Sequence, residues 1–521
     1  MKGQRPTIVF LSMEMMIPEL GNIACNANFK GGLGIFAGDV VSSLSKLGFP
    51  NFSFVPFYHH DHKTREAINY EKSYADSLIL TDQEKRFGLK RIYLAKRGGS
   101  VIFGLEKPDI FDIIYTEDRR QRLRQEILMG KIPAQIMKRV GIKPDILWIN
   151  ESHTVLAIPE IREDSYFDGT KILFTIHTPE QAGMEKFWDF RFDDLQIDPS
   201  KYYDIFVKNG VLDLTWAGVV LADKVNAVSQ EHAEITRKMF PQFKSKIIGI
   251  RNGSDIDFWL SERIKDLGNE FSLDDFQEVH QFDKNEGLDA IERKSDVALD
   301  RTKPTVWWVR RIAQYKNQYP MLKDIICAIC ASRGTFVNTS FGKIEGLGLN
   351  MIGAGRCAES DNTCLFWIEE FNRWNDNSQL RGKFVFLPEY DLELLRFGAR
   401  GSDVWLCTPE PGREACGTSE QRAIINGNPV LTTKTGGPKE YIQEFNPTTC
   451  SGNGFFIDPY NPKVLYEKLK IISDLYYAWL NNGNNCWPTL RMNAYKTGMS
   501  FLDSRLSLEE YNSRIFDILL R

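Results

Sequence analysis

Three short stretches carry residue types suited to anions and sugars. Lys30-Gly31-Gly32-Leu33-Gly34 lies between an apolar run and a helical pattern, where backbone N–H groups at a helix start can approach a phosphate or a sugar closely. The plainer reading is a tight turn that needs glycine for its backbone geometry. Val309-Arg310-Arg311-Ile312-Ala313-Gln314-Tyr315-Lys316 follows directly on another apolar run. There Arg311 offers a planar fork and Lys316 a compact point charge, a pair that would neutralise a phosphate leaving as a glycosidic bond breaks. A solvated basic turn is the alternative. In the stretch TPEPGREACGTSEQR, residues 408–422, Gly417, Thr418 and Ser419 would present N–H groups and hydroxyls to an anion, while Glu414 would accept hydrogen bonds from sugar hydroxyls. Serine and threonine at such a place also make ordinary helix caps.

Such residues need rigid supports, and the repeating pattern along the chain is strand, turn, helix. Residues 7–13 read as a buried strand, and after the glycine turn Phe36, Val40, Leu44 and Leu47 keep helical spacing until Gly48. Short apolar runs follow at 52–57, 145–150, 171–177, 224–229 and 246–250, some leading into helical patterns such as 231–239. This alternation predicts a parallel sheet covered by helices. The polar, weakly apolar stretch 256–302 reads as a boundary. A second series runs through 305–309, 335–341, 383–387, 403–407, 429–433 and 454–457, with the glycine-rich 346–355 as a mobile loop and 491–521 as a closing helical segment. The expected architecture is α/β: two Rossmann-like, doubly wound domains, 1–255 and 303–490, facing across a cleft.

Composition narrows the function classes. With 521 residues the chain is too long for a small binding module, and 65 Lys+Arg against 69 Asp+Glu leaves a net charge of −4, without the basic excess of a nucleic-acid binder. Nine scattered cysteines are too sparse for a disulfide framework, and Cys327 and Cys330 share one face of an apolar helix; a reducing cytoplasm is the natural compartment. No signal peptide and no membrane span are expected. His59, His60 and His62 have a spacing that could hold a metal but reads better as a polar loop, so no metal is expected. Aromatics make up 12% of the chain; most fall on predicted strands, but Phe187, Trp188 and Phe190 stand apart as a segment that packs under its loop or meets an acceptor.

The three loops, in this order, resemble those of the α-glucan phosphorylases and, more broadly, the two-domain glycosyltransferases called GT-B. KGGLGIFAGDVVSSLSKLGFP is similar to the family's glycine loop, INESHTVLAIPEI to its segment with an active-site histidine, here His153, and FTIHTPEQAG to the loop with a second, His177. VRRIAQYK resembles the basic phosphate loop, and EYDLELLRFGARGSDVWLCTPEPGREACGTS the most recognisable block. One departure outweighs these matches. The family's EAxGTxxxK block ends in a lysine that forms a Schiff base with pyridoxal phosphate, and here Arg422 stands in its place. A guanidinium stays protonated and does not condense with an aldehyde. The family is also usually longer, and NPVLTTKTGGPKEYI resembles nucleotide-sugar transferases of the glycogen-synthase kind, with their GG turn.

The resemblance therefore implies a retaining hexosyltransferase using a UDP- or ADP-hexose and an unidentified acceptor, with the first domain on the acceptor side, the second on the donor side and no pyridoxal phosphate. Arg311, Lys316 and Arg422 would neutralise the leaving diphosphate, Glu414 would orient the sugar, and the backbone carbonyl near His177 would support the oxocarbenium-like state. The Lys30, Gly31, Gly32 and Gly34 loop, His153, Gly417, Thr418 and Ser419 would complete the donor contacts. The alternative for Arg422 is a surface ion pair. Two other functions remain open: an α-glucan phosphorylase with its cofactor, and a catalytically degenerate carbohydrate-binding or scaffold protein.

Overall fold

Alternating apolar runs and helices close into two separate sheets. The computed structural model describes residues 5–62, 64–73, 76–179 and 183–521, and its two units are Met1–Asp255 with Ser504–Arg521, and Ile256–Asp503. In the first unit the sheet strands are β1 (Ile8–Leu11), β2 (Asn51–Pro56), β3 (Asp76–Leu78), β4 (Arg91–Arg97), β5 (Ser100–Glu106), β6 (Ile146–Asn150), β7 (Lys171–Ile176), β8 (Lys224–Ala227) and β9 (Ile247–Gly249). Their order is β9-β8-β7-β6-β1-β2-β5-β4-β3; β3 and β4 run antiparallel at one edge and the other seven are parallel. In the second unit β10 (Thr305–Val309), β11 (Asn350–Ala354), β12 (Phe384–Leu387), β13 (Val404–Cys407), β14 (Val430–Thr433) and β15 (Gly454–Ile457) form a fully parallel sheet in the order β12-β11-β10-β13-β14-β15. Both units thus follow the Rossmann path. The chain moves outward from the first strand, returns to its other side and continues, leaving a switch point beside that strand. The doubly wound α/β class expected from the alternation is present in both.

Central strands buried on both faces explain the continuous apolar runs. Ile8–Leu11 and Thr305–Val309 are wholly buried, and Trp307 and Trp308 are both core residues.

Several expectations need correction. Residues 335–341 do not supply a sheet strand; Phe336–Thr339 pairs with Gly342–Glu345 in a hairpin of its own. The neighbouring strand is instead β11, inside the glycine-rich 346–355 read as a mobile loop. A Cβ on Gly353 would lie 2.2 Å from the Trp308 ring, and one on Gly355 2.3 Å from the Arg310 carbonyl, so these glycines admit close neighbours and do not mark flexibility. The polar 256–302 segment is no linker: it holds the helix Leu273–Ser295 of the second unit. Its charges are satisfied inside, with Lys284 Nζ 2.7 Å from Asp403 Oδ2 and His280 Nε2 3.1 Å from Asp403 Oδ1, which is why composition read the whole stretch as a boundary; the units do divide at its start, after Asp255 as expected.

The closing segment also divides. Cys486–Phe501 packs in the second unit, while Ser504–Arg521 joins the first, where Tyr511 and Phe516 lie against Trp148. Cys450 and Cys486 form a disulfide, with Cα atoms 5.0 Å apart, which cysteine counting did not anticipate. Cys327 and Cys330 are free thiols on the short helix Ile326–Cys330. No helix among the described residues is long and apolar enough to cross a membrane.

Candidate active site

In the first unit the switch point lies between β1 and β6, and ligands of such sheets bind beyond the carboxyl ends there. The chain leaving β1 places Glu14, which is buried, under the glycine loop: Glu14 Oε2 accepts from the backbone N–H of Lys30 at 2.7 Å and of Gly31 at 3.3 Å, and Oε1 accepts from Tyr115 Oη at 2.6 Å. Two N–H groups expected to face a phosphate therefore already hold a carboxylate of this chain, because an internal anion is the nearest partner for an exposed helix start. Gly32 opens the helix Gly32–Lys46 and is exposed. Gly34 is needed for space, since a Cβ there would lie 2.5 Å from Phe29 Cβ and 2.9 Å from Glu14 Oε2.

His153 follows β6 on the turn Ser152–Thr154 and is buried. Its Nε2 accepts from Arg122 Nη2 at 2.7 Å, and burial together with the Arg122 charge pushes the imidazole down to about 3, so it is neutral at pH 7. Arg122 comes from the helix Arg119–Val140 and also pairs with Glu126 and Glu185. Burial raises Glu126; it would raise Glu185 too, but Arg122, His153 and Arg119 hold that carboxyl below its ordinary value. Glu126, His153 and Glu185 bring their ligating atoms within 4.8 Å of one another, the one metal-compatible cluster of three or more among the described residues, although no metal was expected. The Arg122 guanidinium is already seated among them and meets their charge. His60 is not part of it and pairs with Asp112 at 2.5 Å.

His177, just past β7, donates from Nε2 to Asn150 Oδ1 at 2.7 Å, and its main-chain N–H donates to Glu151 Oε2 at 3.0 Å. Burial and nearby His232 push its imidazole down to about 3. Glu151 has φ of +66° and is buried, and burial pushes its carboxyl up to about 8. A non-glycine residue held in that region at a sheet switch point is the kind of strain found at ligand sites. Glu180, Gln181 and Ala182 of the His177 loop lie outside the described residues.

The second unit's switch point lies between β10 and β13. The loops leaving these strands are stitched together: Thr408 Oγ1 donates to the Lys316 carbonyl at 2.9 Å, and Glu410 N–H to that of Tyr315 at 2.7 Å. Between them Glu414 Oε2 accepts from Arg310 Nη2 and from Lys316 Nζ, each at 2.8 Å. Burial would raise the Glu414 carboxyl, but Lys316 first, then Arg310 and Arg311, hold it down at about 2. The sequence reading chose Arg311 of the two adjacent arginines. Arg310 is the one that is buried and joins the ion triad, with Nε and Nη1 lacking partners, and Arg311 is exposed beside it. Strand alternation sends neighbouring side chains to opposite sides, so adjacency alone could not decide between them.

Gly417, Thr418 and Ser419 are buried at the start of the short helix Ser419–Ile424. They face a carboxylate of their own: Glu420 Oε2 accepts from Ser419 Oγ at 2.9 Å, and a Cβ on Gly417 would lie 2.4 Å from Glu420 Oε1. Arg422 corrects the surface reading. It is 3% exposed, donates to Thr418 Oγ1 at 3.3 Å and stands 4.6 Å over the Trp259 ring. The GG turn packs on the same loop: Gly436, at φ +59°, would place a Cβ 2.3 Å from the Glu414 carbonyl, and Gly437 N–H donates to that of Ala415 at 3.0 Å. Within the units, then, the fold gathers Lys316 with Glu414, the glycine loop with Glu14, and His153 with Arg122. Glu14, Tyr115, Arg122, Glu151, Glu185, Arg310 and Glu420 were missed. Glu14, Glu151 and Arg310 left a signal in the sequence, as charged residues directly following predicted strands.

Comparison with known proteins agrees with the fold. Residues 8–246 match the model of the starch synthase catalytic domain. A glycogen phosphorylase from Mycobacterium bovis is 26% identical over 84% of this chain, which spans 61% of that protein's length. A glycogen synthase from Finegoldia magna is 22% identical over 86% of this chain and 90% of its own length. The catalytic domain of Starch Synthase IV from Arabidopsis thaliana, solved bound to ADP and acarbose, superposes with a TM-score of 0.74 at 16% identity, covering 98% of this chain and 99% of that one.

Proposed function

From a GT-B fold related to both the glycogen phosphorylases and the glycogen synthases, we propose that this chain is a retaining glycosyltransferase. It moves a hexose from a UDP- or ADP-linked donor to an α-glucan, without pyridoxal phosphate. The observation that carries this reading is the convergence of Arg310 and Lys316 on Glu414 at the second unit's switch point, with exposed Arg311 alongside. Lys316 and Arg311 neutralise the distal phosphate as the glycosidic bond breaks. Glu414, ionised throughout the neutral range, accepts from hexose hydroxyls. The acceptor hydroxyl bonds to the anomeric carbon on the face the diphosphate leaves, and its proton passes to the departing phosphate oxygen. That exchange balances without a protein nucleophile. His177, neutral, offers hydrogen bonds to a sugar without adding charge. The ADP and acarbose held by Starch Synthase IV, a nucleotide and a saccharide, support the choice of donor and acceptor classes.

Pyridoxal phosphate does not fit the residues present. Arg422 supplies no condensing amine and is held over Trp259, and Glu420 sets a carboxylate against Gly417 where a phosphate would need bare N–H groups. A panel of nucleotide sugars tests the reading: turnover or binding of at least one, lost in Lys316→Ala, is expected, and a panel giving neither sinks it. The phosphorylase reading is favoured by the mycobacterial relative. It requires a purified protein with pyridoxal absorbance that borohydride discharges.

A further inference from the structure

Of the tryptophans in this chain, Trp188 alone is exposed, at 71%, while six are fully buried. It makes no hydrogen bond or ring contact among the described residues, yet the backbone that bears it is firmly held. Phe187 pairs with Leu212 in a small antiparallel sheet and is buried. The first turn of the helix Arg119–Val140 grips the same segment: Arg119 donates to the Lys186 carbonyl at 2.6 Å, pairs with Glu185 at 3.0 Å and stands 4.3 Å over the Phe187 ring. One residue on, Arg120 pairs with Asp189 at 2.7 Å, and Arg122 ties Glu185 to His153. A large apolar ring is thus presented directly after the held strand Lys186–Phe187, three residues and about 10 Å of extended chain from Glu185 of the His153 cluster.

We propose that Trp188 is a stacking platform for an α-glucan acceptor chain, an inference that rests on the glycosyltransferase reading. The surroundings favour a saccharide over a protein. Protein hot spots sit at the centre of apolar patches sealed from water, whereas the flanking residues here, Lys186, Asp189 and Arg120, are charged, and Asp189 and Arg120 are 74% and 75% exposed. A pyranose has an apolar face bordered by hydroxyls, which matches an indole face bordered by hydrogen-bonding groups. Clamping of the preceding backbone by Arg119 lowers the ordering cost that a mobile segment would incur on binding. The His153 cluster then marks the end of the run nearest the reacting sugar.

Calorimetric titration with maltoheptaose of the wild type, Trp188→Ala, Trp188→Phe and the control Ile79→Ala, whose side chain is 90% exposed elsewhere in the unit, tests this. Trp188→Ala weakens binding about tenfold, Trp188→Phe retains most of it and Ile79→Ala leaves it unchanged. In turnover the loss falls on KM for maltoheptaose. Equal affinity in wild type and Trp188→Ala overturns the proposal, as does a wild type that turns over a nucleotide sugar but does not bind maltoheptaose. In either case the glycosyltransferase reading stands, since it falls only if no nucleotide sugar is bound or used.

Discussion

The charge at Glu414 is the most consequential single-residue feature, because two cations meet one carboxylate inside the second unit. Removing Lys316 leaves Glu414 with Arg310 alone; Lys316→Met is expected to cost about 3 kcal/mol in denaturant unfolding, since a buried charge loses a partner. Turnover of a nucleotide sugar should fall by about 10²–10³, the usual effect of deleting a preorganised charge at a leaving group. Arg311→Ala separates the two effects: its exposed side chain should cost under about 0.5 kcal/mol in stability while turnover still drops. The pH dependence follows from signs. Glu414 sits below its unfolded value, so the triad's stabilisation is present above about 4.5 and is lost as pH falls through about 2. Glu151 lies on the other side: its raised carboxyl contributes stability below about 4.5 that disappears as pH rises through about 8. Melting temperature should therefore decline between about pH 5 and 8 and level off above, and Glu151→Gln, which keeps the neutral form, should flatten that decline.

At the scale of elements, the glycine-rich stretches behave unlike their composition. In the helix Gly32–Lys46 a Cβ at Gly38 would lie 2.3 Å from the Met16 carbonyl, whereas one at Gly31 meets nothing within 4 Å. Gly38→Ala should destabilise the first unit by about 2–3 kcal/mol, and Gly31→Ala should stay within about 0.5 kcal/mol, both read by urea unfolding. A loop whose sole duty was flexibility would not discriminate between them. The same reasoning turns Asn350–Ala354, inside the supposed loop 346–355, into the inner strand β11, where Gly353 makes way for Trp308. Single-sequence patterning reads glycine as a break. It does not register a ring pressed against a backbone, because that contact spans 45 residues of sequence.

For the whole molecule, two units with separate cores mean that stability is not one number. Ending the chain at Asp503 removes Tyr511, Ile515 and Phe516 from the first unit's core; calorimetry should show that unit's transition falling while the second's holds. ADP-glucose at about 100 times its dissociation constant should stabilise the protein by about 2.7 kcal/mol, and pyridoxal phosphate should leave its melting unchanged. The sequence by itself determined the fold class, since strand and helix periodicities and strand-end loops are local properties written in consecutive residues. It also placed Lys316, Glu414, His153 and His177 on loops after strands, and it showed Arg422 where the resemblance to the phosphorylases puts a lysine, because residue identity is legible without a fold. Only the tertiary structure decided which of two adjacent arginines enters the ion triad, that Glu14 and Glu420 fill the two glycine cradles, that burial and the Arg122 charge keep His153 neutral, and that a polar stretch was a buried helix. Apart from the Glu420 cradle, which is local, these depend on charges brought together from separated parts of the chain, where burial makes pairing obligatory, and no spacing along the sequence reports that proximity.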